Sequence, residues 1–404
     1  MNFELLSEVG EAGTMERPVS IVVIGAGGGG SNAVNGMIEC GIRGVKFVAV
    51  NTDVQALRCN KAEIKLQIGS QITGGRGAGG VPEIGAQAAL ENRDEITKAL
   101  AGADMVFVTA GMGGGTGTGS APIIAEIARS QGALTVGVVT KPFDFEKPYR
   151  MGLAEKGIAM LREEVDTLII IPNQRLLDNV ERKTSIPEAL RRADDVLRQG
   201  VQGISDIILE TGLINIDFAD AETVMRDQGD ALMAIGFGAG ENRVEEAVSS
   251  VLDNPLLEDT SIKGATRALI YVAGNEDLPI HEYDDIVKRI TADMDKDAII
   301  IPGMYLDSSL EDKIRVTVIA AGFGAEEENQ KLEVVKPSPS KGEIISDREY
   351  NAFIGSGIVS DFLPPRDKRE EYRYANEDLD VPTVIRDRRF ISFSSDNLGK
   401  AQSN

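Results

Sequence analysis

A glycine-rich segment containing two threonines is the part of this sequence best suited to chemistry. Gly113–Gly119 reads GGGTGTG, follows a β-branched apolar run and precedes a stretch of helical character. Glycines let backbone amides turn toward an anion, the threonine hydroxyls add donors, and a helix N-terminus adds a positive dipole end. The segment therefore predicts a cradle for the phosphates of a nucleotide.

A second glycine run, Gly25–Gly30, has the same strand-to-helix setting. It matches the dinucleotide-binding pattern, and Asp53 lies where a ribose-binding acid would, so this run alone favours an NAD-dependent dehydrogenase. Two such runs at neighbouring strand ends suit a longer anionic chain, that of a nucleoside triphosphate. The sequence contains no Gly-x-x-x-x-Gly-Lys-Ser/Thr, so a P-loop enzyme is excluded.

Two further segments add polar groups. Thr73–Pro82 is rich in glycine and either closes over the end of the phosphate chain or is a mobile surface loop. Asn215–Asp220 carries carboxylates three residues apart, which suit water activation or cation binding, although a solvated acidic turn has the same composition. A magnesium ion is expected to share the phosphate charge.

The elements that position these segments follow from periodicity. Alternating β-branched apolar runs and helical stretches predict an α/β fold with a doubly wound, mostly parallel sheet as nucleotide domain. An amphipathic pattern over Ile186–Glu210 predicts a long central helix, which would separate the glycine runs from Asn215–Asp220 by roughly 35 Å. A second, smaller α+β domain and a disordered C-terminal tail complete the predicted organisation. The predicted strands are Ser20–Ile24, Val45–Val50, Met105–Thr109, Leu134–Val139 and Thr167–Ile171, with helices at Ile84–Ala101 and Ala121–Ser130.

The predicted domain boundaries divide the chain into six parts. These are an N-terminal extension (1–17), a nucleotide domain (18–185), the central helix (186–212), an α+β domain (213–324), a disordered linker (325–376) and a partner-binding peptide with tail (377–404).

Composition narrows the function. A formal net charge of -22 argues against nonspecific binding to nucleic acid or anionic lipid. His281 is the only histidine, and Cys40 and Cys59 are the only cysteines, so histidine catalysis, a zinc cluster and a disulfide framework are disfavoured. The N-terminus lacks a signal pattern, and we expect a cytoplasmic protein.

Several motifs together resemble one known family. The run at Gly113–Gly119 resembles the signature of the tubulin and FtsZ superfamily, and the remaining motifs are similar to bacterial FtsZ in particular. The resemblance extends from Pro18 to Gly324. It is carried by Gly27–Val34 (GGGGSNAV), Val50–Ala56 (VNTDVQA), Val139–Phe145 (VTKPFDF), Asn215–Asp220 (NIDFAD) and Asn254–Glu258 (NPLLE).

The resemblance implies a GTPase that binds GTP/GDP with Mg²⁺ and assembles head to tail into filaments of the cytokinetic ring. Each active site would be completed between subunits by Asn215, Asp217 and Asp220. Within one subunit it implies nucleotide contacts from Gly28, Gly29 and Asn32, phosphate contacts from Gly115, Thr116, Gly117, Thr118 and Gly119, ribose contacts from Glu146 and Arg150, and base contacts from Asn173, Leu190 and Asp194.

This sequence departs from the family pattern at two positions. Leu190 stands where the family often has a phenylalanine against the base, and Val81 replaces the usual asparagine before proline. Leu190 can pack on the ring but lacks an aromatic face, so we expect a somewhat weaker affinity for the base.

The C-terminal segment Leu379–Arg386 resembles the family peptide that docks on membrane-tethering division proteins, without direct membrane insertion and without nucleic acid. A frayed tail is the alternative. Two other functions stay open at this point: an NAD-dependent dehydrogenase built on Gly25–Gly30, and a relative that binds nucleotide without hydrolysing it.

Overall fold

The computed structural model describes residues 18–178, 184–209, 212–254 and 262–323. The predicted N-terminal extension, the linker and the C-terminal peptide lie outside the described residues, as does most of the Asn254–Glu258 motif. Within the described stretches no helix combines the length and the apolar character that crossing a membrane requires.

Six parallel strands form the first part of the sheet, in the order β3-β2-β1-β4-β5-β6. The strong alternation of strand and helix confirms the predicted doubly wound sheet. Ala26 at the end of one strand pairs with Ala110 near the end of another, so the two glycine runs that follow start side by side. The strands are β1 (Ile21–Ala26), β2 (Val45–Asn51), β3 (Ile64–Gln67), β4 (Met105–Gly111), β5 (Leu134–Lys141) and β6 (Thr167–Pro172).

The helices of this part differ from prediction in two places. The stretch predicted as a single helix, Ile84–Ala101, is broken at Asn92, whose φ of -112° and ψ of 30° interrupt the helical path. The helix predicted from Ala121 begins at Thr116, so the end of the glycine run is itself helical. The helices are α1 (Gly27–Glu39), α2 (Val54–Cys59), α3 (Ser70–Thr73), α4 (Pro82–Glu91), α5 (Arg93–Leu100), α6 (Thr116–Ser130), α7 (Lys147–Glu164), α8 (Asn173–Asp178) and α9 (Ile186–Leu209).

The second part continues the same sheet in the order β7-β10-β8-β9. It joins the first part where β6 pairs in parallel with β7, from Thr167↔Gly229 to Ile169↔Ala231. The predicted α+β character holds, because β10 is antiparallel to both neighbours and helices cover the sheet. The elements are α10 (Phe218–Met225), β7 (Gly229–Ala239), α11 (Arg243–Leu252), β8 (Arg267–Gly274), α12 (Ile280–Thr291), β9 (Ile299–Leu306) and β10 (Lys313–Ala321).

The long helix α9 runs from the carboxyl ends of the strands toward their amino ends. Its apolar face, with Leu197, Val201 and Ile204, is buried in a core shared by both parts of the sheet. Near its start α9 contacts α8, which follows the carboxyl end of β6. At its end, Leu209 Cδ1 lies so close to Gly44 that a Cβ there would come within 2.8 Å. Gly44 precedes β2, so α9 ends at the amino edge of the strands, opposite the glycine runs.

Candidate active site

The first two glycine runs touch through their backbones. A Cβ on Gly27, which has a φ of 70°, would lie 2.6 Å from the backbone nitrogen of Gly117. A Cβ on Gly29 would lie 3.0 Å from Gly111 Cα. Side chains at these positions would push the two runs apart, so glycine is required for the runs to form one continuous surface.

One face of this surface is open. Gly28 and Asn32 are both exposed and lie one turn apart on α1, and a Cβ on Gly28 would meet nothing within 4 Å. The N-termini of α1 and α6 start at the same edge of the sheet. Free amides and two helix dipoles at one open edge favour an anionic ligand.

The threonines of the second run already have partners. The Thr118 hydroxyl accepts a hydrogen bond from the Gly113 N–H at 2.8 Å, and the Thr116 and Thr52 hydroxyls are 2.6 Å apart. These bonds fold the run back on its helix and fasten it to the end of β2. The hydroxyls therefore shape the loop, and Thr118, which accepts in this bond, retains its own O–H as a donor beside the backbone amides.

The third glycine-rich segment packs against the second. A Cβ on Gly115 would lie 2.8 Å from the Val81 nitrogen, and one on Gly119 would lie 1.9 Å from the Pro82 oxygen. Gly77 donates its N–H to the Thr52 carbonyl at 3.3 Å. The segment is thus placed beside the phosphate cradle, where the sequence left open a mobile surface loop.

Asp53, the residue that a dehydrogenase would need for the ribose, has another task. Its carboxylate accepts hydrogen bonds from the backbone N–H groups of Gln55, at 2.8 Å, and Ala56, at 3.4 Å. This is a helix N-cap for α2. The cap explains why an aspartate stands here, so its position is no longer specific support for an NAD-dependent dehydrogenase.

The two residues expected at the ribose form a rigid pair. Arg150 and Glu146 make an ion pair at 2.6 Å, one turn apart on the chain. The Glu146 carboxylate also accepts from the Phe143 N–H at 3.0 Å, and Arg150 Nε donates to the Gly113 carbonyl at 3.3 Å. The pair is therefore fastened directly to the phosphate cradle.

The residues expected at the base include a buried acceptor without a partner and a desolvated carboxylate. Asn173, at the start of α8, is 7% exposed, and its Oδ1 has no hydrogen-bond partner. Burial raises the pKa of Asp194 to about 6. A buried acceptor without a donor and a desolvated carboxylate are both costly, so a ring that offers N–H donors fits these two residues. Leu190, half exposed, lies one turn from Asp194 on α9.

A cleft of about 560 Å³ opens between α1 and α9. It is lined by Asn32 from one helix and by Asp194 from the other, together with further charged side chains of both helices. The cleft therefore connects the position expected at the first glycine run with the position expected at the base.

The three residues expected to act in hydrolysis lie on the far side of α9. Asp217 and Asp220 form a reciprocal capping box at the start of α10: Asp220 N–H donates to Asp217 Oδ1 at 2.8 Å, and Asp217 N–H donates to Asp220 Oδ2 at 3.3 Å. Asn215 Oδ1 accepts from the Gly212 N–H at 2.5 Å. This cap was not predicted from the sequence, although an acid followed three residues later by another before an apolar helix is its ordinary signal.

Two family models match the chain. "Tubulin/FtsZ family, GTPase domain" matches residues 20–181, and "FtsZ family, C-terminal domain" matches residues 229–324. Together they cover more than half of the sequence, including both glycine runs and the ribose pair.

Solved structures agree with the family models. An empty FtsZ dimer from M. jannaschii is 45% identical over 77% of this chain and 90% of its own, with a TM-score of 0.73. A point mutant of FtsZ from M. jannaschii is 46% identical over 76% and 91%, with a TM-score of 0.72. CetZ2 from Haloferax volcanii, at 19% identity over 83% and 99% with a TM-score of 0.63, shares the fold. The chain belongs to the FtsZ family of the tubulin/FtsZ GTPases.

Proposed function

We propose that this protein binds and hydrolyses GTP, and that its subunits assemble head to tail so that Asn215, Asp217 and Asp220 of one subunit complete the active site of the next. The placement of the two half-sites at opposite ends of α9 is the observation that carries this proposal. From Asp194 to Leu209 the helix advances 15 residues, or roughly 22 Å, before the chain reaches Asn215. The carboxylates therefore cannot reach the nucleotide of their own chain.

Guanine specificity is proposed to come from Asp194 and Asn173. An ionised Asp194 accepts from the ring N1–H and the exocyclic amino group of guanine, whereas adenine offers an acceptor at N1. Asn173 Oδ1 is a second acceptor that lacks a donor in the protein. Leu190 supplies an apolar surface for one ring face.

The phosphates would be held by the amides of Gly28, Gly29 and the run Gly115–Gly119, with Glu146 and Arg150 at the ribose. Among the described residues no group of three or more carboxylate, cysteine or histidine side chains is placed so that it could hold a metal ion. We therefore propose that Mg²⁺ is held mainly by the phosphates, where it would neutralise part of their charge.

The hydrolytic step is an attack of water on the γ-phosphorus. The bond from the β,γ-bridging oxygen to the γ-phosphorus breaks, which yields GDP and inorganic phosphate. One oxygen of each carboxylate is committed to the capping box, so Asp217 Oδ2 and Asp220 Oδ1 would accept the hydrogen bonds of the attacking water and polarise it. Asn215 would help to position that water.

Head-to-tail contacts repeat without closing and so generate an open filament. The FtsZ dimer of M. jannaschii and the GTPγS-bound protofilament of CetZ2 show that related proteins associate. We propose that the filaments of this protein form the cytokinetic ring beneath the cell membrane. Leu379–Arg386 would dock on a membrane-tethering division protein, and deleting residues 379–404 should abolish that recruitment while GTP turnover is retained.

The shared active site can be tested by mixing two variants that bind different nucleotides, an experiment that we call the orthogonal-nucleotide mixture. Asp194→Asn should bind xanthosine triphosphate in place of GTP, because the amide donates to the 2-oxo group of xanthine. Asp220→Asn should bind GTP without turning it over. Neither variant alone should hydrolyse GTP, but the two mixed, with both nucleotides present, should do so, because Asp194→Asn supplies an intact Asp220 to its neighbour.

Control measurements distinguish the proposed GTPase from the two alternative functions. Wild-type turnover should rise above a threshold protein concentration, as expected for a site formed by assembly. GTP hydrolysis by Asp220→Asn alone would refute the role of the neighbouring carboxylates. No turnover by the wild-type protein at any concentration would instead support a relative that only binds nucleotide, and binding of NAD without any effect of GTP would revive the dehydrogenase.

A further inference from the structure

A buried aspartate, Asp166, links the segment that follows α10 to the sheet. Asp166 precedes β6 and is 1% exposed. Its Oδ2 accepts from the Thr135 N–H at 2.8 Å. Its main-chain oxygen accepts from the N–H groups of Gln228 and Gly229, at 2.8 and 3.0 Å, which lie in the turn after α10. Asp166 is therefore bonded on one side to β5 and on the other to the segment that follows α10.

Two arginines face the remaining oxygen of this carboxylate. Arg129 Nε and Arg226 Nη1 each lie 3.8 Å from Asp166 Oδ1, which has no hydrogen-bond partner. At that distance the charged groups form ion pairs, but they are too far apart for a hydrogen bond. We define these three residues, Arg129, Asp166 and Arg226, as the polar junction.

Further bonds anchor both arginines at the end of α10. Arg226 directly follows the helix, and its Nε donates to Glu222 Oε1 at 2.7 Å. Arg129 also makes an ion pair with Asp227, whose φ of 55° is unusual for a residue with a side chain. The junction thus holds the sharp turn between α10 and β7 as well as the helix end.

The packing of α10 explains why such a junction matters. The helix has eight residues, and only Ala221, Val224 and Met225 are buried. It is roughly 12 Å long, so a rotation about its C-terminal end displaces Asp217 and Asp220 at its start. Arg129 stands near the end of α6, whose first turn is the phosphate cradle, so the junction also ties the cradle's helix to α10.

We propose that Arg226, with Arg129 and Asp166, is a positioning residue for hydrolysis: the polar junction sets the direction in which α10 presents Asp217 and Asp220 to the neighbouring subunit's nucleotide. The inference rests on the proposed function, since it concerns the same split site. None of the three residues touches the reacting atoms, so they act through α10.

The first test compares Arg226→Ala with Arg226→Lys in the full chain. Turnover at saturating GTP should fall about tenfold in Arg226→Ala, since small misplacements of catalytic groups are costly. Tm should fall, because the buried Asp166 carboxylate loses one of its two cations. Well below that Tm, nucleotide affinity and filament mass with a slowly hydrolysed GTP analogue should not change. Lysine should restore part of the rate, because it keeps a cation facing Asp166.

Arg162→Ala is the matched control. Arg162 is exposed to a similar degree as Arg226, and it makes a two-point ion pair at 2.7 and 3.0 Å with Asp230, which lies on β7 and not on α10. Its loss should leave turnover unchanged. An equal loss of turnover in Arg162→Ala would attribute the effect to general loosening and overturn the inference.

The orthogonal-nucleotide mixture then assigns the effect to one face of the subunit. Arg226→Ala placed in the Asp194→Asn chain, which supplies the carboxylates, should lower GTP turnover about tenfold. The same change in the Asp220→Asn chain, which supplies only the nucleotide side, should have no effect. A general structural role would lower both and would refute the positioning role.

The two proposals fail separately. If Asp220→Asn hydrolyses GTP normally, the proposed function is wrong. If Asp220→Asn is inactive while Arg226→Ala turns GTP over at the wild-type rate, only the role of the polar junction is refuted.

Discussion

Acidification should weaken guanine-nucleotide binding through a single carboxylate. Burial raises the pKa of Asp194 to about 6, whereas an ordinary aspartate titrates near 3.8. Only the ionised form accepts both N–H donors of guanine, and once protonated the carboxyl presents a donor of its own. Nucleotide binding and proton binding at Asp194 are therefore competitive.

The size of the effect follows from that pKa. The ionised fraction of Asp194 falls from about nine-tenths near pH 7 to about one-tenth near pH 5, so the Kd for GDP should rise roughly tenfold over this range. An aspartate with an ordinary pKa would remain almost wholly ionised at the lower pH. The contrast makes the pH profile a test of whether the carboxylate is desolvated in the free protein.

Calorimetric titration with GDP, which avoids turnover, is the suitable assay. The wild-type protein should be compared with Asp194→Asn and with Asp195→Asn, whose carboxylate pairs with the Arg198 side chain at 2.6 Å. Because Asp194→Asn binds guanine more weakly, it is titrated at higher protein and GDP concentrations. The nucleotide phosphates also titrate near pH 6, but they do so with all three proteins. The pH dependence that is lost in Asp194→Asn and kept in Asp195→Asn belongs to Asp194.

A wild-type Kd that stays constant between about pH 7 and pH 5 would refute this reasoning, because it would require an unperturbed carboxylate. The same slope in wild type and Asp194→Asn would assign the dependence to the phosphates alone. A preference of Asp194→Asn for xanthine over guanine nucleotides would independently place the side chain at the exocyclic position of the ring.

Three further outcomes are expected. Gly28→Ala should leave Tm close to wild type but weaken nucleotide binding, because its Cβ meets open space in the free protein; Gly152→Ala, also open, is the control. Asp217→Ala should lower the unfolding free energy by about 1 kcal/mol through the lost N-cap, whereas Asp217→Asn, measured by the same urea titration, should retain stability. Without nucleotide, Asp194→Asn should raise Tm near pH 7.5 and change it little below about pH 4. The raised pKa of Asp194 in the folded protein makes the stability of the wild type fall as the pH rises from about 4 to about 6, and the asparagine removes this loss.

The sequence alone predicted the strands well where local pattern and burial agree. The β-branched runs that became β1, β4, β5 and β6 are buried on both faces, so each reads as a continuous apolar segment. The amphipathic helix α9 was found because its apolar stripe is long and regular.

The elements that escaped prediction depend on distant contacts. β7 was missed because glycines interrupt its apolar pattern, and glycine ordinarily weakens a strand. A Cβ on Gly236 would lie 2.2 Å from the Ala247 oxygen, and one on Gly238 would lie 1.8 Å from the Arg243 oxygen. The glycines are there because α11 packs directly on the strand, which only the folded structure reveals.

The start of α6 was missed for a related reason. Glycine disfavours helix, so Thr116–Gly119 read as loop. In the structure this turn is wedged against α4, where a Cβ on Gly119 would overlap the Pro82 oxygen. Tertiary packing thus overrides propensity at the position where the proposed phosphate site uses a helix N-terminus.

The capping box changes what assembly has to accomplish. Because one oxygen of Asp217 and one of Asp220 are bound to each other's backbone N–H, the direction of the remaining two oxygens is set when α10 forms. No ordering of the loop is then required when the neighbouring nucleotide arrives, and preorganised groups avoid that cost during reaction. In the proposed head-to-tail contact, subunits therefore need only to bring two preformed half-sites together. The proposed role of the polar junction then predicts that the rate of hydrolysis depends on how firmly α10 is held at its other end.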